Sequence, residues 1–265
     1  LLAQVAIASF ADIRRAGDAV ANIIAAGIIP AGLEMMDRKA IHAVEPYVQA
    51  GYDLNAEAIL LCEADGTPEE VVDEIARVTM VLENSGATEV RVSQNEAERL
   101  RFWAGRKAAF PAVGRMTPDY LCMDGTIPRK RLAEMLEAIE ILSAKYGLRC
   151  ANVFHAGDGN LHPLIMYDAN QAGELERAAA FGAEILELSV RFGGTITGEH
   201  GVGLEKIDLM AAQFGSQEIA LFHRLKAAFD ASGLLNPGKG VPTLARCREY
   251  TLARVGSSPL ATVSR

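Results

Sequence analysis

Apolar residues recur along this chain with two periods, and the alternation between them predicts its elements. Residues 5–10 read as a strand, and 11–27 follow with Ile13, Val20, Ile23 and Ile24 at helical spacing, ending at a glycine. Residues 30–36 form a short second strand and 39–50 a second helix. The pattern then repeats as a strand over 58–63, a helix over 68–85 with Pro68 in its first turn, and a strand over 88–93. Residues 1–93 thus carry two βαβ units, which suit either a parallel sheet or a split, ferredoxin-like antiparallel one. The few, short strands favour the second.

Farther on, 94–108 reads as a helix bearing Trp103 and Arg106, 120–123 as a strand, and the residues after Pro128 as a helix to Tyr146. Strands over 150–155 and 161–167 precede helices over 171–192, 203–213 and 217–232, the last closed by Gly233. The fold expected is α+β: a ferredoxin-like antiparallel sheet with helices packed on it, plus a C-terminal helical segment. Residues 1–93 form its first part and 94–242 its continuation, with a soft boundary between them. Residues 243–265 lose all pattern and read as a loose tail.

Bulk properties narrow the function. A chain of 265 residues with 50% hydrophobic and 23% charged residues can bury a substantial core. Its net charge of −8, with no dense run of Lys and Arg, argues against a nucleic-acid partner. The most apolar stretch, 19–33, is broken by Asn22 and Pro30 and is too short to span a bilayer. Four cysteines without a C-x-x-C pair read as reduced thiols in a cytoplasmic protein. The chain opens at Leu1 in strand-like sequence without a basic leader, so a piece of a longer polypeptide with no signal peptide is expected.

The candidate chemistry lies in two segments. In His155-Ala-Gly-Asp-Gly-Asn-Leu-His162, Asp158-Gly159 between apolar runs predicts a two-residue type I′ hairpin turn. That register sets His155 opposite His162 on one face, close enough for both imidazoles to reach one metal. The plain alternative is a surface turn flanked by two unrelated histidines. The segment 193–203 holds five glycines in eleven residues around Glu199 and His200. Glu199 supplies the carboxylate of a two-His-one-carboxylate site, and His200 can act as a general base near neutral pH. Two other readings stay open: a glycine-rich helix start with Glu199 at its N-terminus, or a phosphate cradle, although the Walker lysine is missing. Arg106, on the helical face of Trp103, can grip a carboxylate or simply lie over an aromatic ring. Asn236-Pro-Gly-Lys239 reads as a turn.

Six strings in order resemble the C-terminal half of FAD-linked oxidases of the vanillyl-alcohol-oxidase type, nearest to the glycolate-oxidising branch. They are Gly27-Ile-Ile-Pro30 with Leu33-Glu-Met-Met36, Phe102-Trp-Ala-Gly-Arg106-Lys107, Cys122-Met-Asp-Gly-Thr-Ile-Pro128, Asn152-Val-Phe-His-Ala-Gly-Asp-Gly-Asn160, Gly198-Glu-His-Gly201 and Leu235-Asn-Pro-Gly238. The resemblance implies a substrate or cap domain in which His155, His162 and Glu199 hold a divalent, zinc-like metal. It further implies that His200 is the catalytic base, that Arg106 binds the substrate carboxylate and that Asn236 approaches the flavin. The activity implied is oxidation of glycolate or D-lactate to the 2-oxo acid, with hydride transfer to FAD. No glycine-rich FAD segment occurs here, so the resemblance places FAD in an N-terminal domain absent from these residues. It also implies a second FAD-type subunit, an iron–sulfur subunit, and peripheral association with the inner face of a bacterial membrane through those partners. Relatives acting on 2-hydroxy diacids tend to carry Lys and Asn where this chain has Cys122 and Leu164, which argues for a small monocarboxylate. Rival readings are a metal-dependent hydrolase using the same ligands and a non-catalytic ferredoxin-like interaction module.

Overall fold

The computed structural model describes residues 2–242. Strand β1 (Leu2–Phe10) leads through helix α1 (Ile13–Ala25) to β2 (Gly32–Asp37), then through α2 (Arg38–Val48) to β3 (Ala58–Gly66). From there α3 (Pro68–Asn84) leads to β4 (Glu89–Val92). The helix starts are written in the sequence. Asp12 caps α1 through Arg14 N–H and Asp37 caps α2 through Ala40 N–H. Thr67 and Glu70 form a reciprocal capping box around Pro68 at the start of α3.

These four strands lie in the order β4-β1-β3-β2, and every pairing is antiparallel. Each βαβ crossover leaves a gap one strand wide, and a strand of the other unit fills it. The parallel alternative is therefore not adopted. The sheet continues past β2, because Met35 and Met36 pair with Phe154 and Val153 of β7 (Cys150–Phe154). Beyond β7 come β9 (Pro163–Tyr167) and β5 (Asp119–Cys122), making seven strands that run across residue 94 without a break.

Both faces of this sheet are covered. Ala6, Ala8 and Phe10 of β1 point into one apolar cluster with α1, α3, α6 (Leu132–Tyr146) and α7 (Glu174–Arg191). Val5 and Ile7 point into a second cluster with α2, α4 (Glu96–Lys107) and α5 (Ala109–Val113). Burial on both sides explains why β3 reads as an unbroken apolar run rather than an alternation.

Three local departures from the sequence expectation bear on function. The strand expected over 161–167 is interrupted at His162, leaving a two-residue β8 (Asn160–Leu161) that pairs with β6 (Gly125–Thr126). The short β6 and α5 carried too few residues to show a period. The helix expected over 203–213 is reduced to a 3-10 turn at Ile207–Leu209 and α8 (Met210–Gln213). Gly201 and Gly203 take positive φ, and Lys206 turns inward to a buried partner, so the chain cannot coil over 201–206. Helix α9 (Ser216–Phe229) follows. Among the described residues no helix is long and apolar enough to cross a membrane. Cys62, Cys122 and Cys150 are free thiols, whereas Cys247 and the tail expected over 243–265 lie outside the described residues.

Candidate metal and active site

The histidine hairpin differs from its expected form. His155 bridges to Asn160 rather than His162, and the loop between them has four residues. Only Gly159 in that loop has positive φ, at 83°, so the turn is not type I′. The cause lies in what the loop touches. Asp158 accepts Asn160 N–H in an Asx turn, Gly157 N–H donates to Leu33, and Gly159 O accepts from Ile127. The shift of register is two residues, which preserves the face. His155 and His162 therefore still meet, diagonally and edge to face, with ring centroids 5.0 Å apart.

Glu199 and His200 join them from the glycine-rich loop. The ring of His200 stacks on that of His162 at 5.0 Å, and Glu199 Oε1 lies 3.1 Å from His162 Nε2 and 3.7 Å from His155 Nε2. One ligand atom each from His155, His162 and Glu199 falls within 4.8 Å of the others. His162 is buried, and neither of its ring nitrogens has a hydrogen-bond partner of good geometry. Burial, and then the neighbouring charge of His155, push its pKa down to about 4. Its ring is thus neutral at pH 7, with a lone pair free for a cation. A divalent ion held between two imidazoles and a carboxylate would occupy Nε2, the nitrogen of His162 that faces Glu199.

His155 is turned by a residue that the spacing of the sequence did not reveal. Glu34 of β2 accepts from His155 Nδ1 at 2.8 Å, and this hydrogen bond is the main cause of the raised pKa of His155. The other oxygen of Glu34 accepts from Arg106 Nε at 2.9 Å. Arg106 is buried, and its Nε and Nη2 edge serves Glu34. A cleft of about 550 Å3 opens beside this group, lined in part by Pro30, Leu33, Glu34, Arg129, His155 and Asp158. Asn236 lies elsewhere, exposed after α9 with φ of 45°, although Gly240 N–H donates to Gly203 O and brings that segment against the glycine-rich loop.

Asp124 and Lys206 also went unnoticed in the sequence. Asp124 is fully buried and accepts from Thr197 Oγ1 at 2.8 Å and from the N–H groups of Gly198, Glu199 and His200 at 2.8–3.1 Å. Lys206 Nζ, buried as well, donates to the same carboxylate at 3.1 Å. Burial works against the charge on Asp124. The backbone N–H groups of His200 and Glu199, the Thr197 hydroxyl and Lys206 outweigh it and hold the carboxyl well below the usual carboxylate range. The anion cradle considered for this loop does exist, but the side chain of Asp124 fills it. No helix starts at residue 203, so Glu199 has no helix dipole to serve.

The sequence profile of the family described as FAD linked oxidases, C-terminal domain, matches residues 2–240. This chain belongs to that family. Among curated relatives of this FAD-linked oxidase domain, the glycolate oxidase subunit GlcD of Escherichia coli (strain K12) is 58% identical over 266 residues, which take in 100% of this chain and 53% of that protein. The GlcD of Bacillus subtilis (strain 168) is 38% identical over 233 residues, 88% of this chain and 50% of that protein. A probable mitochondrial D-lactate dehydrogenase of Danio rerio is 29% identical over 241 residues, 88% of this chain and 47% of that protein. The chain thus spans about half the length of the curated relatives it matches. In fold, the FAD-linked oxidase domain is similar to p-cresol methylhydroxylase, with a TM-score of 0.70 at 17% identity over 92% of this chain and 53% of that one.

Proposed function

We propose that this domain is the substrate- and metal-binding half of an FAD-dependent 2-hydroxy-acid dehydrogenase that oxidises glycolate, or D-lactate, to the 2-oxo acid. The convergence of His155, His162 and Glu199 beside His200 carries this reading. The first three residues would hold the ion, and the donor set of two imidazoles and one carboxylate suits a zinc-like metal. A bound divalent cation supplies Lewis acidity toward the 2-hydroxyl group of the substrate. FAD, held mainly by an N-terminal domain outside these residues, supplies the acceptor for the Cα hydride.

The remaining work falls to side chains of this chain. His200, half-exposed at the mouth of the cluster, accepts the hydroxyl proton. Arg106 binds the substrate carboxylate with the Nη1 that its contacts to Glu34 leave over. Asn236 approaches the flavin. Cys122 and Leu164 pair directly across β5 and β9, and neither offers a charge or a strong hydrogen bond for a second carboxylate, which favours a monocarboxylate over 2-hydroxyglutarate. The order β4-β1-β3-β2, with α2 inserted between β2 and β3, supports a ferredoxin-like reading of residues 1–93. In the cell, a second FAD-type subunit and an iron–sulfur subunit carry the electrons away and hold the enzyme on the inner face of the membrane.

The test is a substrate panel on the intact flavoprotein with metal analysis, using glycolate, both lactate enantiomers and D-2-hydroxyglutarate. Dye reduction fastest with glycolate, one divalent ion per chain, and losses of about a hundredfold or more in His155→Ala and His200→Asn are expected. Faster turnover of the diacid would remove the monocarboxylate argument. Undiminished activity in both variants would remove the site.

A further inference from the structure

Asp124 has no part in the chemistry above, yet it is among the most heavily bonded side chains near the site. Five donors converge on its buried carboxylate: Thr197 Oγ1, the N–H groups of Gly198, Glu199 and His200, and Lys206 Nζ. Three of these are consecutive backbone amides, and two of them belong to the residues read as metal ligand and base. A run of N–H groups turned to one side is a concave, anion-seeking conformation. The usual occupant is a phosphate. Here the protein supplies its own carboxylate, from the link between β5 and β6.

The geometry also says what Asp124 is not. Its Oδ1 lies 3.9 Å from His162 Nε2, and it falls in a possible ligand set with His162 and His200. All five donors bond its Oδ2, and Oδ1 accepts only the Glu199 N–H that it shares with Oδ2, so distance is what separates Asp124 from the ion site. Glu199 Oε1 is the nearer carboxylate oxygen, at 3.1 Å from the same nitrogen.

We propose that Asp124 is a positioning residue whose buried carboxylate templates the backbone of 197–200, so that the Glu199 and His200 side chains face His162. Lys206 lies beside it as a counter-charge, while the backbone N–H groups and Thr197 make the remaining bonds. This rests on the reading of Glu199 as ligand and His200 as base. It adds that their placement depends on a carboxylate touching neither substrate nor ion.

The experiment compares Lys206→Met, Asp124→Asn with Lys206→Met, and His155→Ala in the intact protein. Zinc affinity is measured by competition with a chromophoric chelator, alongside kcat, KM and urea midpoints. Lys206→Met keeps the template and is expected to bind zinc within about threefold of the parent. Asn sets a neutral oxygen where five donors meet the Oδ2 of a carboxylate, and an amide NH2 where Oδ1 accepted the Glu199 N–H, so the double variant is expected to lose about 10–100-fold in zinc affinity, as when groups behind a metal ligand are removed. Its kcat should fall at saturating zinc while its urea midpoint stays near that of Lys206→Met. Should the double variant not fold, Thr197→Val, which removes one donor, is expected to weaken zinc about two- to fivefold, and parent-like affinity there counts against the proposal. Parent-like affinity in the double variant, with affinity lost in His155→Ala, overturns the template and leaves the site standing. Parent-like affinity in all three overturns the site, and the template with it. Equal losses in Lys206→Met and the double variant point to the ion pair instead and also overturn the proposal.

Discussion

Glu34 Oε1 lies 2.8 Å from Nδ1 of His155, so this ring presents its other nitrogen toward Glu199. A carboxylate behind a ligating histidine fixes the tautomer and the angle of the ring. Glu34→Gln is expected to weaken metal binding by about 10–100-fold. It also leaves the buried Arg106 without its counter-charge, at a cost of about 3–5 kcal/mol as for other broken buried pairs. Metal titration and urea unfolding of the variant separate the two effects, and parent-like values in both would show that Glu34 orients nothing.

Removal of the metal should be visible without any turnover. An ion that binds only the folded chain stabilises it by about 2.7 kcal/mol at a hundredfold excess over its dissociation constant. For a domain of this size that corresponds to roughly 5–10 °C in Tm. A chelator should lower the melting temperature by that amount in the parent and leave His162→Ala unmoved. Equal shifts in both would place the ion elsewhere.

Asp37 sets a pH dependence remote from the cluster. Burial raises its carboxyl from the ordinary range to about 6, against hydrogen bonds from Ala40 and Asn152 that pull the other way. A raised carboxyl pKa means that the folded chain binds this proton more tightly than the unfolded chain does. The stabilisation is therefore complete below the ordinary range near 3.8 and is lost as pH rises through about 6. The full effect is about 3 kcal/mol. Asp37→Asn keeps a competent helix cap and should lack this slope. Urea midpoints between pH 4 and 8 test it, and parallel curves for parent and variant would refute it.

Gly159 is the one position in the histidine loop where a side chain has no room. Its φ is 83°, and a Cβ there would stand 2.1 Å from the carbonyl oxygen of Ile127, which is backbone and cannot step aside. Gly159→Ala is expected to cost roughly 2–4 kcal/mol and to loosen the metal site with it. A variant as stable as the parent would mean that the loop reshapes freely.

Much of this architecture is legible in the residues alone. The helix start at Pro68, the helical spacing of Ile13, Val20 and Ile23, and the two runs meeting at Asp158-Gly159 all have local causes, and local causes are what a sequence displays. The register of the histidine hairpin was not legible, because Leu33, Ile127 and Arg129 hold its loop from distant parts of the chain. A two-residue error left the outcome intact only because strand faces repeat every second residue. Glu34, Asp124 and Lys206 escaped for a different reason: none stands at a metal-ligand spacing. A better signal was burial. Glu34 stands among Leu33, Met35 and Met36, and Asp124 follows another apolar run, where an ionised group must have a partner somewhere.

Asp124 meets donors that come 73 to 82 positions later in the chain, whereas all seven strands of the large sheet are present once Tyr167 has been made. A polypeptide emerging from the ribosome can therefore close its scaffold, with both hairpin imidazoles aboard, well before the glycine-rich loop exists. The cluster is completed last, when Glu199 and His200 settle against His162, and a shorter chain has the sheet without the four side chains together.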